Sequence, residues 1–233
     1  MIVVTGGRGE FATQIKKHAK VILYSPSSGV LDIREFFAVR EYFQDHDFDY
    51  VIHAAAIARP MVRHEESPQS SIETNIIGTA NVAMACKMFN KKLIYISTDY
   101  VYEGTEGNYN EEDPVKPFIN YGWSKLGGEC AVQMIPGSLI LRMAMCSRDF
   151  THEKAIFDSN KSCIYIDDAA RITLQLLDEE GVINIGGPTN TLYNFYREDI
   201  PDLDFMSRED VKGTEIPKDC SMDTTKLESI LND

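Results

Sequence analysis

Short apolar strands alternate with helical segments along most of the chain, and the alternation begins at its first residue. Segments typical of strands lie at 1–5, 21–24, 50–53, 92–96, 138–141, 163–166 and 182–185. Helical patterns lie between them, at 10–20, about 34–45, about 70–89, 120–135 and 167–178. Strands joined by helical crossovers predict a parallel sheet that is covered on both faces. We therefore expect an α/β fold with a Rossmann-type doubly wound parallel sheet.

The regular alternation ends near Pro188, beyond which the sequence becomes irregular and acidic. Earlier, a stretch rich in Gly, Asn, Glu and Pro at 103–117 predicts a surface loop directly after one of the strands. We expect a dinucleotide-binding core over residues 1–163. The last core elements and a small C-terminal substrate-binding annex follow over 164–233, and the two parts form effectively one compact unit.

The first strand leads directly into a glycine-rich turn. Gly6-Gly7-Arg8-Gly9 follows the strand at 1–5, and a helical stretch comes next. Glycines let a backbone approach a pyrophosphate closely, and the helix N-terminus supplies free N–H groups and a partial positive charge. The spacing is G-x-x-G-x-x-A rather than the commonest fingerprint, and a plain tight turn is the alternative. We predict a dinucleotide phosphate site at this turn.

Two further motifs carry polar groups suited to carbonyl chemistry. Tyr121 and Lys125 are four residues apart, so a helix presents them on one face. A nearby ammonium can lower the pKa of a phenol by about 1–3 pH units. Thr98 follows an apolar strand, and parallel sheets bind ligands at such strand ends. Together the three groups can hold and protonate a carbonyl oxygen, although an isolated Tyr-x-x-x-Lys pair is usually a solvated helix face.

The helix predicted around this pair is unusually rich in glycine. It contains Gly122, Gly127 and Gly128, each of which costs a helix interior about 1 kcal/mol relative to alanine. Such departures from local preference tend to mark close packing or function. We expect a neighbouring strand or a bound ligand to approach the backbone there, with packing alone as the alternative.

Composition restricts the partners of the chain. The formal net charge of −13 argues against nucleic acid and requires local basic groups for any anionic ligand. The candidates are Arg8, Arg59, Arg63 and Arg142. The five scattered cysteines lack a C-x-x-C pair, which fits reduced thiols in the cytoplasm rather than disulfides or a zinc site. We expect a cytoplasmic monomer or homodimer that uses no membrane and no metal.

With these motifs in order, the chain resembles the extended branch of the short-chain dehydrogenase/reductases, and within it the dTDP-4-dehydrorhamnose reductase group. The segments that carry the resemblance are VTGGRG at 4–9, LDI at 31–33, VIHAAA at 51–56, NIIGT at 75–79, ISTDYVY at 96–102, YGWSK at 121–125, YIDD at 165–168, NIGGP at 184–188 and SMDTTKL at 221–227. The resemblance implies an NAD(P)-dependent enzyme that reduces a 4-keto sugar nucleotide. It makes Tyr121 the proton donor, has Lys125 lower the pKa of Tyr121 and bond the nicotinamide ribose, and has Thr98 hydrogen-bond the same substrate oxygen.

Related reactions are distinguished by the residue that follows Asp99. By the resemblance, dehydratases carry Glu where this chain has Tyr100, and enzymes that combine epimerisation with reduction carry a Cys near this point. We therefore expect simple reduction, with Asp99 and Tyr100 lining the sugar pocket. A 4-epimerase needs only Thr98, Tyr121 and Lys125 and is one alternative. A non-catalytic NADP-binding regulatory subunit, like that of methionine adenosyltransferase, is the other.

The cofactor prediction rests on charge. NAD-preferring enzymes carry an acid near the end of the second strand, and this chain has none at 23–28. Arg8 lies where it can pair with a 2′-phosphate, so NADP(H) is favoured and NAD(H) is possible. The resemblance makes the cofactor contacts Gly6, Arg8, Gly9, Glu10, Phe11, Ser25, Asp32, Ile33, Ala54, Ala55, Ala56, Asn75, Ser97, Tyr121 and Lys125. Small core packing at 54–56 and helix capping by Asn75 are alternatives.

Two arginines complete the predicted substrate site. We expect Arg59 and Arg142 to contact the anionic part of the sugar nucleotide. The resemblance is weakest at 143–164, where the related enzymes have a longer segment that helps to hold the nucleotide.

Overall fold

The structure, a computed structural model, describes residues 1–21 and 23–232 and contains the predicted alternation of strands and helices. The strands are β1 (Ile2–Thr5), β2 (Leu23–Tyr24), β3 (Tyr50–His53), β4 (Lys92–Ile96), β5 (Leu139–Cys146), β6 (Lys154–Ile156), β7 (Asn160–Lys161), β8 (Cys163–Tyr165), β9 (Gly181–Ile185), β10 (Asn190–Thr191) and β11 (Asp204–Met206). The α-helices are α1 (Glu10–His18), α2 (Phe36–Asp45), α3 (Val62–Glu66), α4 (Pro68–Ser71), α5 (Gly78–Met88), α6 (Asn120–Gln133), α7 (Ile166–Gln175), α8 (Leu192–Tyr196) and α9 (Thr225–Asn232).

Seven strands form the central sheet in the order β2-β1-β3-β4-β5, with β8 and β9 both paired to β5. Strand β9 pairs along 139–143 and β8 along 144–146, so the long β5 serves two neighbours in succession. Every pairing in this sheet is parallel. The predicted Rossmann-type fold class is therefore confirmed.

Helices cover both faces of the sheet, because the strands are apolar on both sides. On one face, Ile15 of α1 and Leu227 of α9 pack into a core shared with α7. On the other face, Phe43 of α2, Val82 of α5 and Val132 of α6 form a second core. The two cores fix the sheet between them and leave its carboxyl edge free to carry a site.

Three predicted elements differ in extent from the structure. The strand predicted at 138–141 continues to Cys146, because it also pairs with β8. The helix predicted at about 70–89 is divided into α4, a π-helical segment at Ile72–Ile77 and α5. Wide π turns of this kind occur frequently at functional sites. Part of the strand predicted at 21–24, Ile22, lies outside the described residues.

Two small sheets and helix α8 lie outside the central sheet, and they are called the annex below (residues 150–161 and 190–223). Strand β10 pairs with β7 and β11 pairs with β6, so residues from 154–161 join residues from 190–206. The 103–117 loop has no helix or strand, as predicted, and Tyr109 within it packs on the annex through backbone hydrogen bonds with Ser221 and Asp223. The division at residue 163 stays a prediction. No helix within 1–21 or 23–232 is long and apolar enough to cross a membrane.

Candidate active site

The glycine-rich turn lies at the carboxyl end of β1 and is packed too tightly for any larger residue. Gly6 has a φ of +75°, and a Cβ there would lie 2.8 Å from Ala55 Cα. A Cβ at Gly7 would lie 2.2 Å from the carbonyl oxygen of Ser25. No side chain caps α1 at Gly9, so the first N–H groups of the helix are available to an anion. The turn has the form that a dinucleotide phosphate requires.

The residues around this turn take different positions. Arg8 is exposed, and within residues 1–21 and 23–232 it forms no ion pair. The hydroxyl oxygen of Ser25 is buried and has no hydrogen-bond partner in the described part of the chain. Glu10 accepts a hydrogen bond of 2.7 Å from Ser147. Phe11 packs into the core, which leaves only its backbone N–H at the turn.

The predicted adenine contacts lie after β2. Asp32 forms an ion pair of 2.6 Å with Arg34, and the hydrogen bond from that guanidinium lowers the pKa of Asp32. Ile33 is buried, and its side chain would lie 2.7 Å from a Cβ at Gly78. Both residues are held firmly in place, as a binding surface requires.

A buried hydrogen-bond network fixes the segment that follows β3. Thr5 Oγ1 lies 2.7 Å from His53 Nδ1 and accepts the backbone N–H of Ala55 at 3.1 Å. His53 Nε2 lies 3.0 Å from Thr79 Oγ1, which itself donates to the carbonyl of Asn75 at 2.7 Å. Burial lowers the pKa of His53 to about 3, so the imidazole is neutral. The network positions 54–56 beside the glycine turn.

Asn75 joins the same segment to α6. Its amide accepts from Ile57 N–H at 2.8 Å and donates to Ile57 C=O and to Ser124 Oγ, each at 2.9 Å. Ser124 in turn donates to the carbonyl of Tyr121 at 2.7 Å. Asn75 is thus a clamp between the chain after β3 and the helix of Tyr121, and its side chain caps no helix.

Thr98, Tyr121 and Lys125 are buried together at the carboxyl edge of the sheet, with relative exposures of 4%, 9% and 3%. Thr98 lies directly after β4, and the other two lie on one face of α6. The glycines of α6 allow this approach. A Cβ at Gly122 would lie 2.2 Å from the carbonyl of Tyr100, and the corresponding positions at Gly127 and Gly128 are filled by Ile76 and Tyr95.

The charges around Tyr121 differ from the sequence expectation. Burial and the Asp99 carboxylate raise the pKa of Tyr121 to about 12, opposed by a hydrogen bond with Thr98 and by the charge of Lys161. Lys125 was expected to lower this pKa. Its ammonium instead lies 4.1 Å from the centre of the Tyr95 ring. Burial lowers the pKa of Lys125 itself to about 7.

Lys161 is a site residue that the sequence did not predict. Its Nζ lies 2.9 Å from Asp99 Oδ2 and 3.9 Å from the centre of the Tyr100 ring. Asp99 and Tyr100, both predicted to line the sugar pocket, therefore share one buried cation. No motif marks Lys161. The only sequence signal is its position in the 143–164 segment, where the resemblance is weakest.

A cleft of about 680 Å³ separates the core from the annex. Arg59, Tyr100 and Cys146 line it from the core side, and Phe150 and Tyr196 line it from the annex side. The Tyr100 ring also lies 6.1 Å from the Tyr121 ring, measured between centroids. The cleft therefore lies next to Tyr121 on the far side of Tyr100, and it is large enough for a small organic ligand.

Two predicted site residues direct their side chains into the core. Arg142, expected to contact substrate, lies away from the cleft and donates to Glu129 Oε2 at 2.8 Å and to Tyr102 Oη at 3.0 Å. Ser97, expected to contact the cofactor, turns its hydroxyl to Glu129 Oε1 at 2.5 Å. Both side chains are buried in one network that joins β4, β5 and α6. Ser97 was predicted as a site residue because it directly precedes Thr98 in the sequence.

Residues 1–154 match the RmlD substrate binding domain family. Among curated proteins, methionine adenosyltransferase 2 subunit beta of Xenopus laevis is 31% identical over 175 residues, which are 66% of this chain and 52% of that protein. The dTDP-4-dehydrorhamnose reductase of Mycolicibacterium smegmatis is 31% identical over 153 residues, 63% of this chain and 46% of that protein. The chain thus spans about half the length of these relatives.

Among solved structures, the dTDP-4-dehydrorhamnose reductase of Bacillus anthracis, crystallised with NADP, superimposes with a TM-score of 0.90. The match covers 99% of this chain and 92% of that one at 22% identity. At that identity the likeness concerns the fold. It extends over nearly the whole of both chains.

Proposed function

The chain belongs to the RmlD substrate-binding domain family, in the extended short-chain dehydrogenase/reductase group, and on that premise we propose that it catalyses the NADP(H)-dependent reduction of a 4-keto sugar nucleotide. The observation that carries the proposal is the joint burial of Thr98, Tyr121 and Lys125 where β4 ends. Hydride transfer to a ketone builds negative charge on its oxygen, and buried donors stabilise that charge.

The residues around the glycine turn fit a dinucleotide. Gly6 and Gly7 form a turn that no side chain larger than hydrogen can occupy, and the N-terminus of α1 lacks a side-chain cap. Ser25 offers a buried hydroxyl without a partner in the described residues, and Arg8 is free of ion pairs there. These groups would hold the pyrophosphate and the 2′-phosphate of NADP(H). When bound, the nicotinamide supplies the hydride.

Tyr121 is the proton donor in this proposal. Its pKa of about 12 keeps the phenol protonated at neutral pH, as an acid that must deliver its proton requires. Lys125, with a pKa of about 7, can exchange a proton at neutral pH and would return one to Tyr121. Thr98 donates to Asp99 at 2.9 Å and also hydrogen-bonds Tyr121, which holds the two hydroxyl groups side by side. Arg59 and Tyr100 would contact the sugar nucleotide in the cleft.

A second candidate is a non-catalytic NADP-binding regulatory subunit. One observation favours it, the similarity to methionine adenosyltransferase 2 subunit beta over 66% of this chain. Its site would need only to bind the dinucleotide. In that role the joint burial of Thr98, Tyr121 and Lys125 would serve no chemical step, and we therefore rank reduction first.

Turnover distinguishes the two. The chain is incubated with NADPH and dTDP-4-dehydrorhamnose, the loss of NADPH is followed by absorbance, and the sugar product is identified by mass spectrometry. Reduction predicts stoichiometric NADPH loss and a product heavier by two hydrogens. Binding of NADPH by calorimetry with no turnover, together with a stable complex with a methionine adenosyltransferase catalytic subunit, would favour the regulatory role instead.

A further inference from the structure

Lys161 brings a positive charge from the annex into the centre of the site. It lies on β7, which pairs with β10, and its neighbour Asn160 is fixed by a hydrogen bond of 2.9 Å to Asp219. From there its ammonium reaches Asp99 Oδ2 at 2.9 Å. The Lys161 side chain is 13% exposed and that of Asp99 is fully buried. The pair is therefore shielded from water on both sides.

This ion pair determines what Thr98 can donate to. An ionised carboxylate only accepts hydrogen bonds, so Thr98 Oγ1 donates to Asp99 Oδ1 at 2.9 Å. The same hydroxyl accepts the backbone N–H of Tyr100 at 3.3 Å. The Thr98 hydroxyl also hydrogen-bonds the Tyr121 phenol, so its contact with Asp99 fixes its position beside that phenol. Asp99 Oδ2 in turn lies 2.9 Å from Lys161 Nζ, so Lys161 holds the hydrogen-bond partner of Thr98 in place.

The same cation acts on Tyr121 directly. Burial, Asp99 and Tyr100 raise the pKa of Tyr121, whereas the charge of Lys161 lowers it. Lys125, on the same helix, lies instead over Tyr95. Lys161 thus partly offsets the effect of the Asp99 carboxylate, which raises the pKa of Tyr121.

We propose that Lys161 is a positioning residue of the proposed reductase site, acting through Asp99 and Thr98 to orient the hydroxyl of Tyr121. The inference rests on the proposed function for its kinetic test. Lys161 contacts Asp99 and Tyr100, whereas the glycine turn follows β1, so the loss of Lys161 should affect the proton-transfer step and leave the binding of NADPH unchanged.

Kinetics of Lys161→Met with NADPH and dTDP-4-dehydrorhamnose provide the first test. We expect kcat to fall by about 10²-fold, as misplaced catalytic groups do, while the NADPH dissociation constant stays within about 2-fold. Lys161→Arg, which keeps the charge, should recover most of kcat. Lys116→Met is the matched control, because Lys116 forms an exposed ion pair of 2.6 Å with Glu103 outside the cleft.

A double-mutant cycle tests the route through Asp99. In the Asp99→Asn background, adding Lys161→Met should lower kcat by less than about 2-fold, because no carboxylate is left for the cation to hold. The double variant also contains no unpaired buried charge. If Lys161→Met does not fold, the double variant and Lys161→Arg therefore provide the test. If the Lys161–Asp99 pair only stabilised the fold, its removal would lower the melting temperature and leave kcat unchanged. That result would overturn the proposal.

A spectroscopic measurement separates this inference from the proposed function. The ¹³Cζ resonance of Tyr121, assigned by its loss in Tyr121→Phe, reports hydrogen bonding at the phenol without any substrate. It should move in Lys161→Met and in the double variant, and stay in place in Lys116→Met. If the wild-type chain reduces no keto sugar, the proposed function fails and this resonance alone decides the role of Lys161. An unmoved resonance, or an unchanged kcat in an active enzyme, overturns the inference.

Discussion

The neutral histidine behind the glycine turn should make the fold sensitive to acid. His53 is fully buried between Thr5 and Thr79, with ring nitrogens 2.7 and 3.0 Å from their hydroxyl oxygens. Burial, with a contribution from the charge of Lys125, lowers its pKa from 6.5 to about 3. The folded protein therefore leaves His53 unprotonated over a range in which the unfolded chain protonates it.

The sign and size of the effect follow from proton linkage. Below pH 6.5 the unfolded chain binds a proton that the folded protein does not, so the free energy of unfolding falls as the pH falls. The contribution of His53 is fully present above the unfolded pKa of 6.5 and is lost towards the folded pKa of about 3. At about 1.36 kcal/mol per pH unit, acidification from about pH 7.5 to about pH 5 costs about 2 kcal/mol, and the whole interval about 5 kcal/mol.

Urea unfolding, followed by circular dichroism at several pH values, measures the His53 contribution to the free energy of unfolding. It is the difference between wild type and His53→Asn. His53→Asn removes the titrating group and keeps an acceptor near Thr5. Other groups titrate equally in both proteins, so wild type should lose about 2 kcal/mol more than the variant by about pH 5. His152→Gln, at an exposed position, should behave as wild type. Parallel pH dependence in wild type and His53→Asn would refute the reasoning.

Three further predictions concern charged groups. Arg8→Ala should weaken NADPH binding more than NADH binding in calorimetry, and equal losses would contradict the assigned 2′-phosphate contact. Lys125→Met should lose both NADPH affinity and turnover, whereas an unchanged dissociation constant would remove Lys125 from the cofactor site. Arg142→Met leaves Glu129 buried without its partner and should lower the free energy of unfolding by about 3–5 kcal/mol in urea. The exposed Arg148, changed to Met as a control, should alter it by less than about 1 kcal/mol.

The parts of the fold that follow from local pattern were accessible from the sequence. Strand alternation, the glycine turn and the placement of Thr98 at a strand end all depend on residues adjacent in the chain. The glycines of α6 also signalled a close approach correctly, since Tyr100 and Tyr95 occupy the space that a Cβ would need. Parallel topology then brings separate strand ends to one edge of the sheet.

The remaining features depend on contacts between distant residues, which no local pattern encodes. Lys161 reaches Asp99 only because strand β7 lies close to the segment that follows β4. Arg142 was expected to contact a ligand, but its guanidinium forms a buried ion pair with Glu129 of α6. The pKa of Tyr121 rises because burial outweighs any nearby cation, and burial is a property of the packed molecule.

The central claim is that Tyr121 donates the proton in a keto-sugar reduction, and Tyr121→Phe tests it most directly. The substitution keeps the ring and removes only the donor. Tyr50→Phe is the matched control, because Tyr50 begins β3 at the opposite edge of the sheet and donates to Asp178. With NADPH and dTDP-4-dehydrorhamnose, Tyr121→Phe should lose about 10²–10⁴-fold in kcat while retaining NADPH affinity, and Tyr50→Phe should match wild type. Near-wild-type turnover by a folded Tyr121→Phe protein would contradict the account.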